Sequence, residues 1–469
     1  MLFNSLDFLV FFPVVTIIYF LLPQRVRWIH LLLASCLFYM AFVPAYLFVL
    51  AFTITIDYFA GLAIEKSQGA ARRAWLIVSL AGNIGVLVAF KYGYFMAEQV
   101  NAVMHAWHIP AALPLWNILL PLGLSFHTFQ AMSYTIDVYR GNWKAERHFG
   151  IYALYVMFYP QLVAGPIERP GGLLRQLKEK HSFSRSDLGV GLRLMLWGFF
   201  KKLVIADRLG GYVNFVYDHP DQVSSGYLLL GMFFFSFQIY CDFSGYSDIA
   251  IGAARTMGFR LAMNFDRPYL AANIRQFWQR WHMSLTTWFR DYVYIPLGGN
   301  RVGKGRKYIN ILIVFLLSGL WHGAGWNFII WGAIHGLIML AWMAASGGDN
   351  GRVTGGGLRR VMTGAGTFVL VTVAWVFFRC RDTGLAWRII THLVGQRGDI
   401  HYEEQITKTT MVLGVIFIIL LVVIEKMVSP MMEELQERWW PDIAFCLFAL
   451  GAILVFGVFG SQPFIYFAF

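Results

Sequence analysis

The sequence predicts an all-α polytopic membrane protein, and three observations carry that prediction. First, 58% of the 469 residues are hydrophobic and only 14% are charged, with mean hydropathy +0.56. A soluble fold of this size has no interior large enough to hide so much apolar surface. Second, the apolar residues fall in continuous runs of about 18 to 22, the length a helix needs to cross a bilayer. They do not alternate as the strands of an outer-membrane barrel would. Third, the net charge of +12 sits in short basic clusters between the runs: Arg25/Arg27, Arg72/Arg73, Lys201/Lys202, Arg301 to Lys307 and Arg359/Arg360. That is the distribution of cytoplasmic loops, and it argues against nucleic acid as a partner. The four cysteines, Cys36, Cys241, Cys380 and Cys446, are far apart, without a CxxC pair, and read as apolar packing residues.

The elements follow in order. The opening MLFNSLDFLVFFPVVTIIYFLLP has no basic leader region and no small-residue cleavage site, so it reads as a retained first span. Spans are expected at 6–22, 28–43, 45–64, 74–96, 117–138, 188–207, 226–250, 308–323, 326–346, 361–379, 410–428 and 443–460, about 12 in all. A further apolar stretch, 149–165, precedes the basic GPIERPGGLLRQLKEKH. Letting it cross would put that basic loop on the wrong side, so it is expected to be re-entrant or buried. Lys201 and Lys202 fall inside a span and must be buried against something polar or snorkel. With the basic loops held cytoplasmic, both termini fall outside. The chain is read as one membrane domain, 1–469, with GGDNGRVTGGG (347–357) as a cytoplasmic linker and 461–469 as an extracytoplasmic aromatic tail.

Residues 255–307 depart from the spanning pattern and are read as a cytoplasmic amphipathic and basic segment. Helical spacing puts Trp278, His282, Leu285, Phe289 and Tyr292 on one face, with Arg275, Gln279, Thr286 and Arg290 opposite. Such a helix is expected to lie along the interface or to pack into the mouth of the bundle. The loop GGNRVGKGRKY after it lacks the GxxxxGK[ST] arrangement of a phosphate-cradling loop.

Candidate chemistry centres on His322. Counted from Tyr308 at the cytoplasmic face, it lies roughly 21 Å into the membrane, past the midplane. Gly323 and Gly325 beside it leave room for a ligand or backbone. An intramembrane imidazole is a functional candidate by default, and histidine suits general-base work near neutral pH. The residues alone equally allow a histidine hydrogen-bonded between helices. His282 is the second candidate, though a structural role fits it too, and His335 reads as a cap or brace of its helix. Asp242 and Asp248 end the 226–250 span and need cationic partners, which Arg255 or an arginine of the 275–290 helix would supply; a proton path is the other reading. Tyr466 in the tail FGSQPFIYFAF fits an aromatic belt, and its hydroxyl is also able to accept an acyl group. Without HExxH, GxSxG or a dinucleotide fingerprint, the pattern favours base-assisted acyl transfer over metal-assisted hydrolysis.

Four stretches together, QFWQRWHMSLTTWFRDYVYIPLGGNR, GLWHGAGWNFIIWGAIHG, YCDFSGYSDIAIG and LVAGPIERP, resemble the membrane-bound O-acyltransferase (MBOAT) family, most strongly its bacterial branch that O-acetylates alginate, peptidoglycan or cellulose. The resemblance runs over nearly the whole chain. It implies a helical bundle with a tunnel or funnel meeting at the histidine, no bound cofactor, and acetyl-CoA entering from the cytoplasm as acyl donor. The family's catalytic histidine falls on His322, and its second, upstream histidine on His282, with Trp281, Arg290 and Asp291 in the same motif and Trp321 beside His322. Asp242 and Asp248 lie in the third motif. The family's C-terminal FxYF falls on Phe464, Tyr466 and Phe467, the tyrosine passing the acyl group outward; Ala468 stands where that ending usually has glutamine. The resemblance further implies a bacterial inner-membrane protein, a separate extracytoplasmic SGNH-type acyltransferase partner and a polysaccharide acceptor. A proton-coupled transporter or flippase using His322, Asp242 and Asp248 remains open at this point, as does an acyltransferase acting on a lipid, a protein or a D-alanyl carrier.

Overall fold

The computed structural model describes residues 1–116, 118–163, 165–346, 357–395, 408–428, 439–460 and 464–465. Helices dominate, and among these residues there is no strand. Among the described residues six helices are long and apolar enough to cross a bilayer: Tyr46–Lys66, Gly69–Ala106, Ser225–Thr256, Trp326–Ala345, Gly357–Arg379 and Lys408–Lys426. Leu6–Leu21 and Ile443–Phe456 are shorter apolar helices. The other expected spans are helical as well, over Gln24–Met40, Leu124–Arg140, Arg185–Phe199 and Lys304–His322, but shorter or more polar. The amphipathic helix Thr383–Gly395 had no counterpart among the expected spans.

The chain forms two compact units. One comprises Met1–Leu192 with Ala250–Ala262, the other Arg193–Ile249 with Met263–Phe469. In the first unit, polar side chains tie apolar helices together. Asp57 is fully buried, and its carboxylate accepts hydrogen bonds from Ser79 Oγ at 2.6 Å and Asn83 Nδ2 at 2.9 Å. Ser79 Oγ also reaches Thr135 Oγ1 at 2.9 Å, so three helices share one polar cluster. Most of the 149–165 stretch is buried, as its flanking charge required. It forms two short helices, Phe149–Met157 and Tyr159–Leu162, and every residue from 150 to 163 is buried. Nine residues of helix rise only about 14 Å, too little to cross.

In the second unit a single aromatic-rich core runs from Trp197 to Ile453, and the candidate residues lie within or beside it. Lys304–His322 and Trp326–Ala345 form a hairpin with only residues 323–325 between them. The segment read as one amphipathic helix is broken. Ile274–Arg280 ends at Trp281, Met283–Phe289 starts a new axis, and Arg290–Tyr294 continues as a widened turn. Spacing alone could not show this break, which a tertiary contact enforces. Phe277, Trp278, Trp281, His282, Leu285, Trp288 and Phe289 are all buried, so the segment is packed into protein.

Candidate active site

His322 is the last residue of its helix, and the extended Gly323 turns the chain away from it. Its ring is 3% exposed by residue and is walled by the edges of three aromatic rings. Trp321 lies 4.9 Å away centroid to centroid, Trp331 5.0 Å and Phe378 5.2 Å. The wall is drawn from three helices, so the position of the imidazole depends on all of them. Such a surround excludes water, and charge formed inside it is stable only beside specific partners.

The clearance that the glycines promised is not open space. A Cβ on Gly323 would lie 2.0 Å from the Phe328 ring, and one on Gly325 would lie 2.3 Å from Asn327 Oδ1. The missing side chains admit neighbouring protein: Phe328 packs edge-on against Phe378 at 5.3 Å, directly behind the imidazole wall. Asn327 in turn donates to Cys380 O at 2.9 Å and locks the start of its helix to the end of Gly357–Arg379.

His282 reaches the same place from the kink. Its backbone is left-handed, φ 43° and ψ 57°, a conformation that costs a non-glycine residue about 1–2 kcal/mol. Asn264 holds it there. The Asn264 carbonyl accepts from Met283 N at 2.9 Å, and its side-chain oxygen accepts from Ser284 Oγ at 2.6 Å. Asn264 Nδ2 donates to Ser247 Oγ at 3.3 Å, which links the kink to Ser225–Thr256. Strained backbone that the surroundings over-determine is typical of functional positions. The kink turns His282 into the core, 6.4 Å from His322 and 4.6 Å from Phe243 by ring centroids, with Trp321 touching both histidines.

The other sequence-predicted residues divide. Trp281 packs on Trp375 at 5.0 Å and forms the floor beside His282. Arg290 and Asp291 pair with each other at 2.7 Å, with the arginine side chain more than half exposed. His335 does not cap its helix: it is fully buried among aromatic rings, 5.0 Å from Trp278 and 4.9 Å from Trp331. Asp242 and Asp248 do find cations, but not the arginines expected. Lys202 Nζ sits 2.7 Å from Asp242 and 2.8 Å from Asp207, and Lys201 Nζ sits 2.6 Å from Asp248. Arg255 pairs with Asp187 instead, at 2.7 Å. The buried lysines are thus the counter-ions of the motif carboxylates, and neither snorkels. Tyr466 lies outside the described residues.

A family model described as membrane-bound O-acyltransferase matches residues 147–347, a range that holds both histidines. The probable alginate O-acetylase AlgI of Azotobacter vinelandii is 39% identical over 398 residues, 83% of this chain and 77% of that protein. The peptidoglycan O-acetyltransferase of Helicobacter pylori is 36% identical over 431 residues, 85% and 80% of the two chains. The chain belongs to the membrane-bound O-acyltransferase family. It is an O-acyltransferase and a multi-pass membrane protein. The family's reach in donor and acceptor is shown by a third relative, the teichoic acid D-alanyltransferase of Bacillus subtilis, 30% identical over 239 residues, 48% of this chain and 60% of that protein.

Within this MBOAT protein, two groups important to the site went unread in the sequence. Phe243 stands between His282 and the tail residue Phe464, 4.6 Å and 5.4 Å from them. Asn264 sets the kink. Phe243 sits inside a motif already singled out and was overshadowed by its charged neighbours. Asn264 carries no local signal at all, since its partners are distant in sequence.

Proposed function

We propose that this MBOAT protein moves an acetyl group from cytoplasmic acetyl-CoA through the bacterial inner membrane for O-acetylation of an extracytoplasmic polysaccharide. The observation that carries the reading is the convergence of His282 and His322, from two separate motifs, on one water-poor aromatic site. His322 is the general base. It takes the proton of an acceptor hydroxyl as that oxygen attacks the thioester carbonyl. The carbon–sulfur bond breaks, and the leaving thiolate of CoA takes the proton back from the imidazolium. His282 supports the base by positioning. The first acceptor is the Tyr466 phenol, so the acyl group leaves as an aryl ester. A separate extracytoplasmic SGNH-type acyltransferase then carries it to a sugar hydroxyl. The basic residues of 255–307 attract the phosphates of the donor.

Relatives named for alginate and peptidoglycan O-acetylation support the polysaccharide acceptor. The close ion pairs of Asp242 and Asp248 with lysines support structural roles for those carboxylates and weigh against their serving as a proton pathway. The decisive experiment replaces His322 by alanine and measures ester content of the host's extracellular polymer, with membrane protein levels matched. Loss of acetylation is expected; full acetylation would overturn the reading. Tyr466→Phe with unimpaired acetylation would remove the tyrosine step alone.

A further inference from the structure

Within the second unit, residues 193–206 meet Ser225–Thr256 backbone to backbone. A Cβ on Gly198 would lie 2.5 Å from Gly245 O, and one on Gly245 would lie 2.7 Å from Gly198 O. Only glycine allows that approach at either position. Just past the contact, Phe200–Ala206 widens into a π-type turn, an irregularity often found at functional sites. Lys201 and Lys202 emerge from this turn and are buried on the carboxylates of the facing helix.

The two lysines do different things. Lys201 bridges Asp248 and Ser244 Oγ, and so belongs to the helix contact itself. Lys202 engages Oδ1 of Asp242, and the other oxygen, Oδ2, accepts a hydrogen bond from the backbone N–H of Ile465 at 2.7 Å. Phe464, fully buried, stacks on Tyr246 at 4.8 Å and touches Phe243, which touches His282. Upstream, Val458 N donates to Leu203 O at 3.0 Å, and Arg208 donates to Phe456 O. The described parts of the C-terminal segment are therefore fastened at residues 456, 458 and 465 to the elements that carry the buried lysines and carboxylates.

We propose that Asp242, braced by Lys202, is a positioning residue for acyl transfer, acting through the Ile465 N–H to fix the register of Phe464 and Ile465 beside Phe243, which touches His282. The proposal rests on the reading that the tail takes part in transfer. A carboxylate already paired with a buried lysine is held in one orientation, and its charge strengthens the bond to the backbone donor. Fixing Ile465 sets where the chain goes next, which in sequence is Tyr466.

The test removes the donor and leaves the core intact. Ile465→Pro has no N–H, whereas Ile465→Ala keeps it. The expected result is a fall of about tenfold or more in polymer ester content for Ile465→Pro, with Ile465→Ala within about threefold. Asp242→Asn breaks this contact and also loosens Lys202, so adding Ile465→Pro to it is expected to cost little beyond Asp242→Asn alone. A second readout needs no activity. With Ala468→Cys as reporter, maleimide labelling of the detergent-purified protein is expected to quicken in the Ile465→Pro and Asp242→Asn backgrounds and not in Ile465→Ala. Proline and alanine variants that label and transfer alike, or losses that multiply in the double variant, would overturn the proposal. Tyr466→Phe run in parallel separates the failures: full activity there removes the relay, while the labelling still reads the anchor.

Discussion

The rings of His282 and His322 lie 6.4 Å apart, and each is placed by a different kind of backbone device. His322 ends a helix at an extended glycine; His282 occupies a left-handed kink between two short helices. Trp321 touches both rings, so neither imidazole moves without disturbing the other. With ring centres this far apart, the nearest nitrogens of the two imidazoles stay beyond direct hydrogen-bond reach. That spacing suits a base and a positioning group better than a shared proton.

Unequal roles give unequal losses. His322→Ala is expected to reduce acyl transfer by roughly 10² to 10⁴-fold, the range of a lost general base. His282→Gln should cost about 10- to 100-fold and leave the acidic limb of the pH–rate profile, where a protonated base stops working, where it was. The check is ester formation against pH for both variants at matched membrane levels. A His282→Gln profile that loses the limb while His322→Ala keeps it would exchange the two assignments.

Asn264 should matter out of proportion to its distance from the chemistry. Its side chain satisfies Ser284 and holds the turn that follows His282. Asn264→Ala leaves buried donors of Ser284 without that acceptor, a cost of about 1–3 kcal/mol, and releases the left-handed residue to relax. The expected outcome is a lower unfolding temperature in detergent together with at least a tenfold loss of transfer. Stability that falls while transfer per folded molecule stays normal would show the kink to be incidental.

What was legible in the sequence, and what was not, divides along the range of the interactions. The helical hairpin meeting at residues 323–325 and the buried 149–165 stretch follow from local composition and flanking charge, and both are found. The continuous amphipathic helix was misread because periodicity registers which residues are apolar and not where an axis breaks. Trp281 and His282 are buried whether or not the helix is straight. The break depends on Asn264, outside the window that periodicity samples. The carboxylate partners failed for the same reason. Arginines near in sequence looked sufficient, but the glycine contact at Gly198 and Gly245 delivers lysines from another segment.

Gly323→Ala tests whether the wall behind His322 is rigid. The new methyl would meet the Phe328 ring, which is backed by Phe378, and Phe378 packs on the imidazole. Overpacking a site of this kind costs about 1–3 kcal/mol. The displaced ring should also lower turnover several-fold, with little change in the donor concentration needed for half-maximal rate. Adding Phe328→Leu should recover part of the loss. No recovery would mean that the glycine serves the backbone turn and not the ring behind it.

Lys201 offers the clearest measure of what the buried ion pairs contribute. Its side chain is 4% exposed, and the ammonium sits between Asp248 and Ser244, with the Tyr240 ring 5.9 Å away. Tyr240 in turn donates to Glu425 at 2.6 Å, so carboxylates from two helices converge around this cation. Lys201→Met would strand Asp248 without its counter-charge, and breaking one side of a buried pair costs about 3–5 kcal/mol. Lys201→Met with Asp248→Leu removes both charges and should recover much of that loss, because an apolar pair of similar volume is often neutral in such a place. Thermal unfolding of the purified protein in detergent reads both. If the double variant unfolds no later than Lys201→Met alone, Lys201 is held chiefly for Glu425 and Tyr240, and the Asp248 pair is secondary.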